Sequence, residues 1–214
     1  MSLPTPHIAH LTEDDYEHVY EPAEDSFILL DALEADADDL RRSKPTICVE
    51  IGSGSGIAST FLSSLLEPND SLIISTDINR YACEATIKTA SANDTTLNPI
   101  LCNLLDPLLP RLKGEIDVLL FNPPYVPTEI HELEDTQASR DIGGAWAGGE
   151  AGMVVTKMIL DQLPHLLSPG GRFYLVAVAQ NKPKFIAEEL LRRGLRVERR
   201  AGRELLYVLR IVAT

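Results

Sequence analysis

Asn122-Pro123-Pro124-Tyr125 is the stretch of this chain best equipped to do chemistry. It follows Ile116–Phe121, a short apolar run with the composition of a buried strand. Two prolines cannot extend a sheet ladder, because proline has no N–H donor and fixes φ. The chain must leave the sheet there, presenting an amide side chain, carbonyl oxygens without competing N–H groups, and an aromatic ring. Such groups suit a planar –NH2: two acceptors take its two protons while the ring packs on its face. On its own, the same tetrapeptide also reads as an ordinary proline-rich turn.

The elements around that turn alternate. Residues 1–20 are polar and irregular, and Pro22 opens a helical pattern from Ala23 to about Leu40, with Phe27, Leu30 and Leu33 at helical spacing. Strand and helix signals then succeed one another: strand Thr46–Ile51, helix Ile57–Leu66, strand Ser71–Thr76, helix Tyr81–Ala92, strand Pro99–Cys102, strand Ile116–Phe121 and helix Ala151–Leu167. Pro169-Gly170-Gly171 reads as a breaker, followed by strand Arg172–Ala179, helix Pro183–Arg193, and strands Leu195–Arg199 and Leu205–Val212. Strands rich in Ile, Val and Leu between amphipathic helices predict a parallel sheet covered on both faces. The short Ala201-Gly202-Arg203 link predicts a closing hairpin, so one strand must run antiparallel. A mostly parallel seven-stranded α/β sheet with an antiparallel C-terminal strand resembles the class I, Rossmann-like methyltransferase fold. Glu129–Gly152 lacks periodicity, with acidic residues first and then five glycines around Trp146; a flexible surface loop and a lid over a site both fit it.

The first strand runs into Glu50-Ile51-Gly52-Ser53-Gly54-Ser55-Gly56 and then a helix. Gly52, Gly54 and Gly56 allow a tight turn and the close approach of a ligand at the carboxyl end of the sheet. The spacing misses the dinucleotide fingerprint by one residue, and no Lys-Ser/Thr pair follows to hold a triphosphate. Asp77, 25 residues after Gly52, ends the second strand, where a carboxylate can accept from both hydroxyls of a ribose. Asn103 ends the third and is placed to read an adenine edge, with Ile78 and Leu104 on the ring faces. Glu50, Asp77, Asn103 and Asn122 thus follow four successive strands. A ligand with an adenosine half, no phosphate and a cationic centre satisfies this set: S-adenosylmethionine, whose product is S-adenosylhomocysteine. Glu50 then sits near its amino-acid portion, and an acidic lining favours the sulfonium over the neutral thioether.

With 214 residues, 44% hydrophobic and 24% charged, the chain reads as one globular domain spanning 1–214. Its net charge of −13 disfavours a nucleic-acid partner, and the arginine cluster at 192, 193, 196, 199, 200 and 203 reads as a solvated face. Cys48, Cys83 and Cys102 are isolated, and the five histidines show no ligand spacing, so free thiols and no metal in this chain are expected. With no signal-peptide pattern and no long apolar run, a soluble intracellular protein is expected, cytoplasmic with the nucleus as a second compartment.

Tyr20-Glu21-Pro22-Ala23-Glu24-Asp25-Ser26, the Glu50–Gly56 loop, Thr76-Asp77, the Asn122–Tyr125 turn and Ala145-Trp146-Ala147-Gly148-Gly149 together resemble the eukaryotic HemK-like protein-glutamine N5-methyltransferases. The resemblance runs from about Val19 to Val212. It implies methylation of the glutamine in the Gly-Gly-Gln motif of the release factor eRF1, with Tyr20 and Ser26 contacting the cofactor. It also implies a heterodimer with a small zinc-binding activator of the Trm112 type, which would hold any zinc and pair with the third-strand edge. Relatives often carry Asp where this chain has Asn103; an Asn oxygen still accepts from the adenine amino group, without the charge. The acidic stretch Glu132–Asp135 is longer than that pattern predicts.

The residues of the turn then suggest a mechanism. Asn122 Oδ1 and the Pro123 carbonyl would accept the two protons of the substrate amide, Tyr125 would pack on its plane, and Pro124 would hold the turn. Adenine N6 of a nucleic acid fits the same grip, and a protein lysine such as that of a histone is another acceptor. A non-catalytic nucleotide- or partner-binding protein of this fold is the third reading.

Overall fold

The Ile- and Val-rich runs form a single twisted sheet in the computed structural model, which describes residues 3–66, 70–125, 152–203 and 205–214. Its strands are β1 (Ile47–Ile51), β2 (Leu72–Asp77), β3 (Asn98–Leu101), β4 (Ile116–Phe121), β5 (Leu167–Val178), β6 (Arg196–Arg203) and β7 (Leu206–Val212). Their order is β3-β2-β1-β4-β5-β7-β6. All pairs from β3 to β5 are parallel, and β7 runs antiparallel to both β5 and β6. The helices are α1 (Glu13–Tyr16), α2 (Glu24–Ala35), α3 (Ala37–Ser43), α4 (Ile57–Leu65), α5 (Arg80–Ala92), α6 (Leu109–Leu112), α7 (Val154–Leu166) and α8 (Pro183–Arg192).

Period-two alternation divides the central strands between two cores. Val49, Ile51, Leu119, Phe121, Phe173 and Leu175 point to the face covered by α7 and α8. Cys48, Val118, Leu120, Tyr174 and Val176 point to the other, covered by α2 and α4. Burial on both faces is why these strands carry apolar residues almost without interruption. No helix among the described residues is long and apolar enough to cross a membrane.

Several details depart from the sequence reading. The predicted helix to Leu40 is two helices broken at Asp36, whose buried carboxylate accepts from the Tyr174 hydroxyl at 2.8 Å and pairs with Arg200 and Arg210. Of Phe27, Leu30 and Leu33, at helical spacing, the two leucines are buried beside Ile28, Leu29 and Ala32, whereas Phe27 is 36% exposed. Pro169-Gly170-Gly171 does not separate helix from strand. It lies inside β5 as a bulge, where the pairing with β4 shifts between Ile116 and Val118. A Cβ on Gly171 would stand 2.6 Å from the Ile116 carbonyl oxygen, so only glycine fits there. The closing hairpin is present, but Ala201-Gly202-Arg203 belongs to β6 and the turn follows it.

Residues 3–20, read as irregular, are ordered: the Leu3 N–H donates to Glu34 Oε1 of α2 at 2.8 Å, and the chain from His7 to Val19 runs along α5. Leu11 and Val19 are buried against Ala82 and Ala85. Polar contacts complete the seam: Asn93 Nδ2 donates to the His7 carbonyl at 2.8 Å, Lys88 pairs with Asp15 at 2.7 Å, and Asn79 Nδ2 donates to the His18 carbonyl at 2.7 Å. The arginine cluster is only partly a solvated face. Arg192, Arg196 and Arg199 are exposed, while Arg193 pairs with Asp161 and Glu189, and Arg200 with Asp36. Cys48, Cys83 and Cys102 are free thiols.

Candidate active site

At the carboxyl ends of β1, β2 and β4 the sheet opens into a cavity of about 280 Å³. Parallel α/β sheets bind ligands at this end because the strands splay there and the connections cross over them. Of the residues singled out in the sequence, Tyr20, Ser26, Glu50, Gly52 and Gly54 line it, as do Asp77, Ile78, Asn103 and Leu104. Asn122, Pro123, Pro124 and Tyr125 complete its wall. Gly56 does not line it. At φ +79° it precedes the first turn of α4, and a Cβ there would lie 2.7 Å from the Thr86 Cα, so it serves close packing of loop on helix. The Glu129–Gly152 loop, with the Ala145–Gly149 motif and Glu132–Asp135, lies outside the described residues except for Gly152.

The glycine loop is shaped by backbone conformation. Gly52 and Gly54 sit at φ +70° and +52°, the left-handed region that side chains disfavour, and nothing would meet a Cβ on either. The Gly54 N–H donates to Asp77 Oδ2 at 3.0 Å and the Asn79 N–H to Oδ1 at 2.9 Å, which fixes that carboxylate while leaving lone pairs for further donors. Burial pushes Asp77 above the ordinary carboxyl range, against the pull of those N–H groups.

Glu50 shares the Cys48 face of β1 and so points toward α4, where its Oε2 accepts from the Ser59 N–H at 3.0 Å and from the Ser59 hydroxyl. It is 5% exposed. Burial raises its pKa to about 8, with Asp77 adding to the rise and the Ser59 bonds opposing it. Burial is the main cause for both carboxyls, and a cation beside them would bring both back down. The donor set therefore fits a cationic ligand with a ribose. Asn103 donates its amide N–H to Asp106 at 3.2 Å, which turns its oxygen free to accept. Leu104 stands at φ +46°, a strained conformation for leucine that holds it on the cavity wall.

The acceptor end is built from side chains. Asn122 Nδ2 donates to Asp25 at 3.0 Å, and the Tyr125 hydroxyl donates to the same oxygen at 2.9 Å. The Tyr20 hydroxyl lies 3.1 Å from both Asp25 oxygens. Burial, reinforced by Asp25, pushes Tyr20 up to about 12 and Tyr125 higher still, so both stay protonated donors. The Tyr125 carbonyl accepts from Gln180 Nε2 at 3.2 Å, tying the turn to the segment after β5. Asn122 Oδ1 is screened from solvent and has no partner among the described residues. Asn122 lines the cavity, and its orphaned oxygen is the kind of acceptor an –NH2 group would satisfy. Sequence reasoning missed Asp25. The carboxylate lies within the Tyr20–Ser26 motif, but only the fold brings it across 97 residues to Asn122.

No family model matches the chain. It is 46% identical over 213 residues to "Methyltransferase HEMK2" of Mus musculus, covering 98% of this chain and 96% of that one. It is 44% identical over 224 residues to "eRF1 methyltransferase catalytic subunit mtq2" of Schizosaccharomyces pombe, covering 98% and 95%. Among solved structures, it superposes on a chain of the E. cuniculi Mtq2–Trm112 complex, described as responsible for methylation of the eRF1 translation termination factor. That match has a TM-score of 0.65 at 25% identity and covers 92% of this chain and 99% of that one. The ribosomal protein L11 methylase of Lactobacillus delbrueckii subsp. bulgaricus, at TM-score 0.61 and 14% identity over 90% and 80% of the chains, shares the fold.

Proposed function

The chain belongs to the family of the HEMK2 and Mtq2 methyltransferases, and from that premise we propose that it methylates the side-chain nitrogen of the glutamine in the Gly-Gly-Gln motif of eRF1. One observation carries the reading: the glycine loop and the Asn122–Tyr125 turn open onto a single cavity, so donor and acceptor can meet. S-adenosylmethionine, when bound, supplies an electrophilic methyl on a cationic sulfur that leaves as a neutral thioether. Gly52 and Gly54 would admit its amino-acid end beside Glu50, Asp77 would take its ribose, and Asn103, Ile78 and Leu104 its adenine.

The protein's own task is to position a poor nucleophile. An amide nitrogen shares its lone pair with its carbonyl, and its protons become acidic only as the new N–C bond forms. Asn122 Oδ1 and the Pro123 carbonyl would accept hydrogen bonds from the two N–H groups and present negative ends to the positive charge growing on nitrogen. As the N–C bond forms and the methyl–sulfur bond breaks, one proton passes to solvent and the other stays on the methylated nitrogen. Tyr125 packs on the amide plane and limits its rotation, which aligns the lone pair.

A Trm112-type subunit completes the proposal, supported by the complex that the E. cuniculi relative forms. Among the described residues β3 pairs only with β2, and Leu101 at its end is 52% exposed. Pro99 is tolerated there because edge strands need no full ladder. Leu101→Arg should abolish co-purification with that subunit while leaving the isolated chain folded.

The deciding experiment is mass spectrometry of methyl transfer to eRF1, with and without the added subunit, against the Gln→Ala acceptor variant. Transfer to the wild-type glutamine alone supports the reading. Transfer to adenine in nucleic acid, or to a lysine, overturns it.

A further inference from the structure

Two motifs far apart in the sequence meet at one carboxylate. Asp25, 3% exposed at the start of α2, accepts on Oδ2 from Asn122 Nδ2 and the Tyr125 hydroxyl, at 3.0 and 2.9 Å. Its Oδ1 accepts from the Ser26 N–H at 2.7 Å and the Ser26 hydroxyl at 3.3 Å. A carboxylate only accepts, so whatever faces it must donate. The Asn122 amide is therefore held with its –NH2 toward Asp25 and its oxygen turned the other way, where it has no partner among the described residues. Reversed, the amide would set donor against donor when a substrate –NH2 arrived.

We propose that Asp25 is a positioning residue that fixes the sense of the Asn122 amide, so that oxygen and not nitrogen meets the acceptor. The inference rests on Asn122 being the acceptor grip. Tyr20 and Tyr125 support it by filling the remaining lone pairs of Asp25 with donors that stay protonated.

Asp25→Asn is a sharp test because the backbone decides which way the new amide turns. The Ser26 N–H, 2.7 Å from Oδ1, keeps an oxygen at that position, so the new –NH2 faces Asn122 and drives it to flip. With the activator subunit and a glutamine-bearing release factor, kcat should fall by about 100-fold. The dissociation constant for S-adenosylmethionine and the melting temperature should stay close to wild type. Adding Asn122→Asp exchanges donor for acceptor across the pair and again turns an oxygen to the substrate. The double variant should therefore recover about tenfold in kcat over either single variant. A merely structural Asp25 predicts no such rescue. Asp25→Asn retaining kcat within about threefold, or a folded double variant no better than the singles, overturns the proposal. Wild-type transfer to something other than glutamine would instead sink the functional reading and this one with it, so the two failures are distinguishable.

Discussion

The two ends of the cavity are built on different principles. The cofactor end owes its shape to backbone: glycines at positive φ, and Asp77 gripped by the N–H groups of Gly54 and Asn79. The acceptor end owes its shape to side chains, with Asn122, Tyr125, Tyr20 and Ser26 gathered on Asp25. A backbone cradle suits a ligand that is the same in every turnover. A side-chain clamp has a donor–acceptor sense, which is where selectivity among –NH2 acceptors can reside. Changes at one end should therefore move affinity, and at the other the chemical step.

Asn122→Ala should break the clamp most severely. We expect kcat to drop by about 1,000-fold with cofactor affinity nearly unchanged, read by single-turnover kinetics beside calorimetry. Asp77→Ala should do the reverse. Losing its charge-assisted bonds should weaken S-adenosylmethionine by roughly 100-fold, while kcat at saturation stays within about fivefold. A fall in kcat at saturation as large as the loss of affinity would erase the division between the two ends.

The cofactor end should also be the pH-sensitive one. Glu50, raised from 4.5 to about 8 by burial, holds a proton at neutral pH, and a cationic ligand must displace it. Affinity should rise with pH up to about 8, by at most about tenfold per unit, with proton release seen by calorimetry in buffers of different ionisation enthalpy. Glu50→Gln should flatten that dependence. The sign for stability is opposite. A carboxyl with a raised folded pKa contributes most below 4.5 and loses its contribution as pH climbs through about 8. Unfolding of the ligand-free wild type, compared with Glu50→Gln, should show that loss at up to about 1.4 kcal/mol per pH unit.

The smallest effect is expected from Asn103→Asp. A carboxylate should bind the adenine amino group better, but Asp106, 3.2 Å from the present amide nitrogen, would then face a like charge. The gain in affinity should stay below about threefold, and combining it with Asp106→Asn should enlarge it.

The contrast also explains what was legible in the sequence. Backbone features announce themselves locally: the Ile/Val runs of β1, β2 and β4, the glycine loop, and the prolines after Phe121 all fell where the residues indicated. Contacts between distant side chains do not. Asp25 stood out only as one residue of the Tyr20–Ser26 motif, and Asp36 gave no sign of breaking a helix until Tyr174, Arg200 and Arg210 closed on it. The packing of Gly56 on Thr86 was not legible because that partner lies in another helix. The bulge in β5 was hidden because Pro-Gly-Gly in isolation is punctuation, and only pairing with β4 makes it an interruption within a strand.

The seam along α5 has a practical bearing on how this protein can be handled. His7 is fastened near Asn93 at one end of that 13-residue helix and His18 near Asn79 at the other, a separation of roughly 20 Å. His7 thus lies at the end of α5 remote from Tyr20, so shortening the chain from that side meets the seam before it reaches the cavity wall. Trimming inward past Val19 would instead strip a wall from the cofactor chamber and bare the Ala82–Ala85 ridge beneath it.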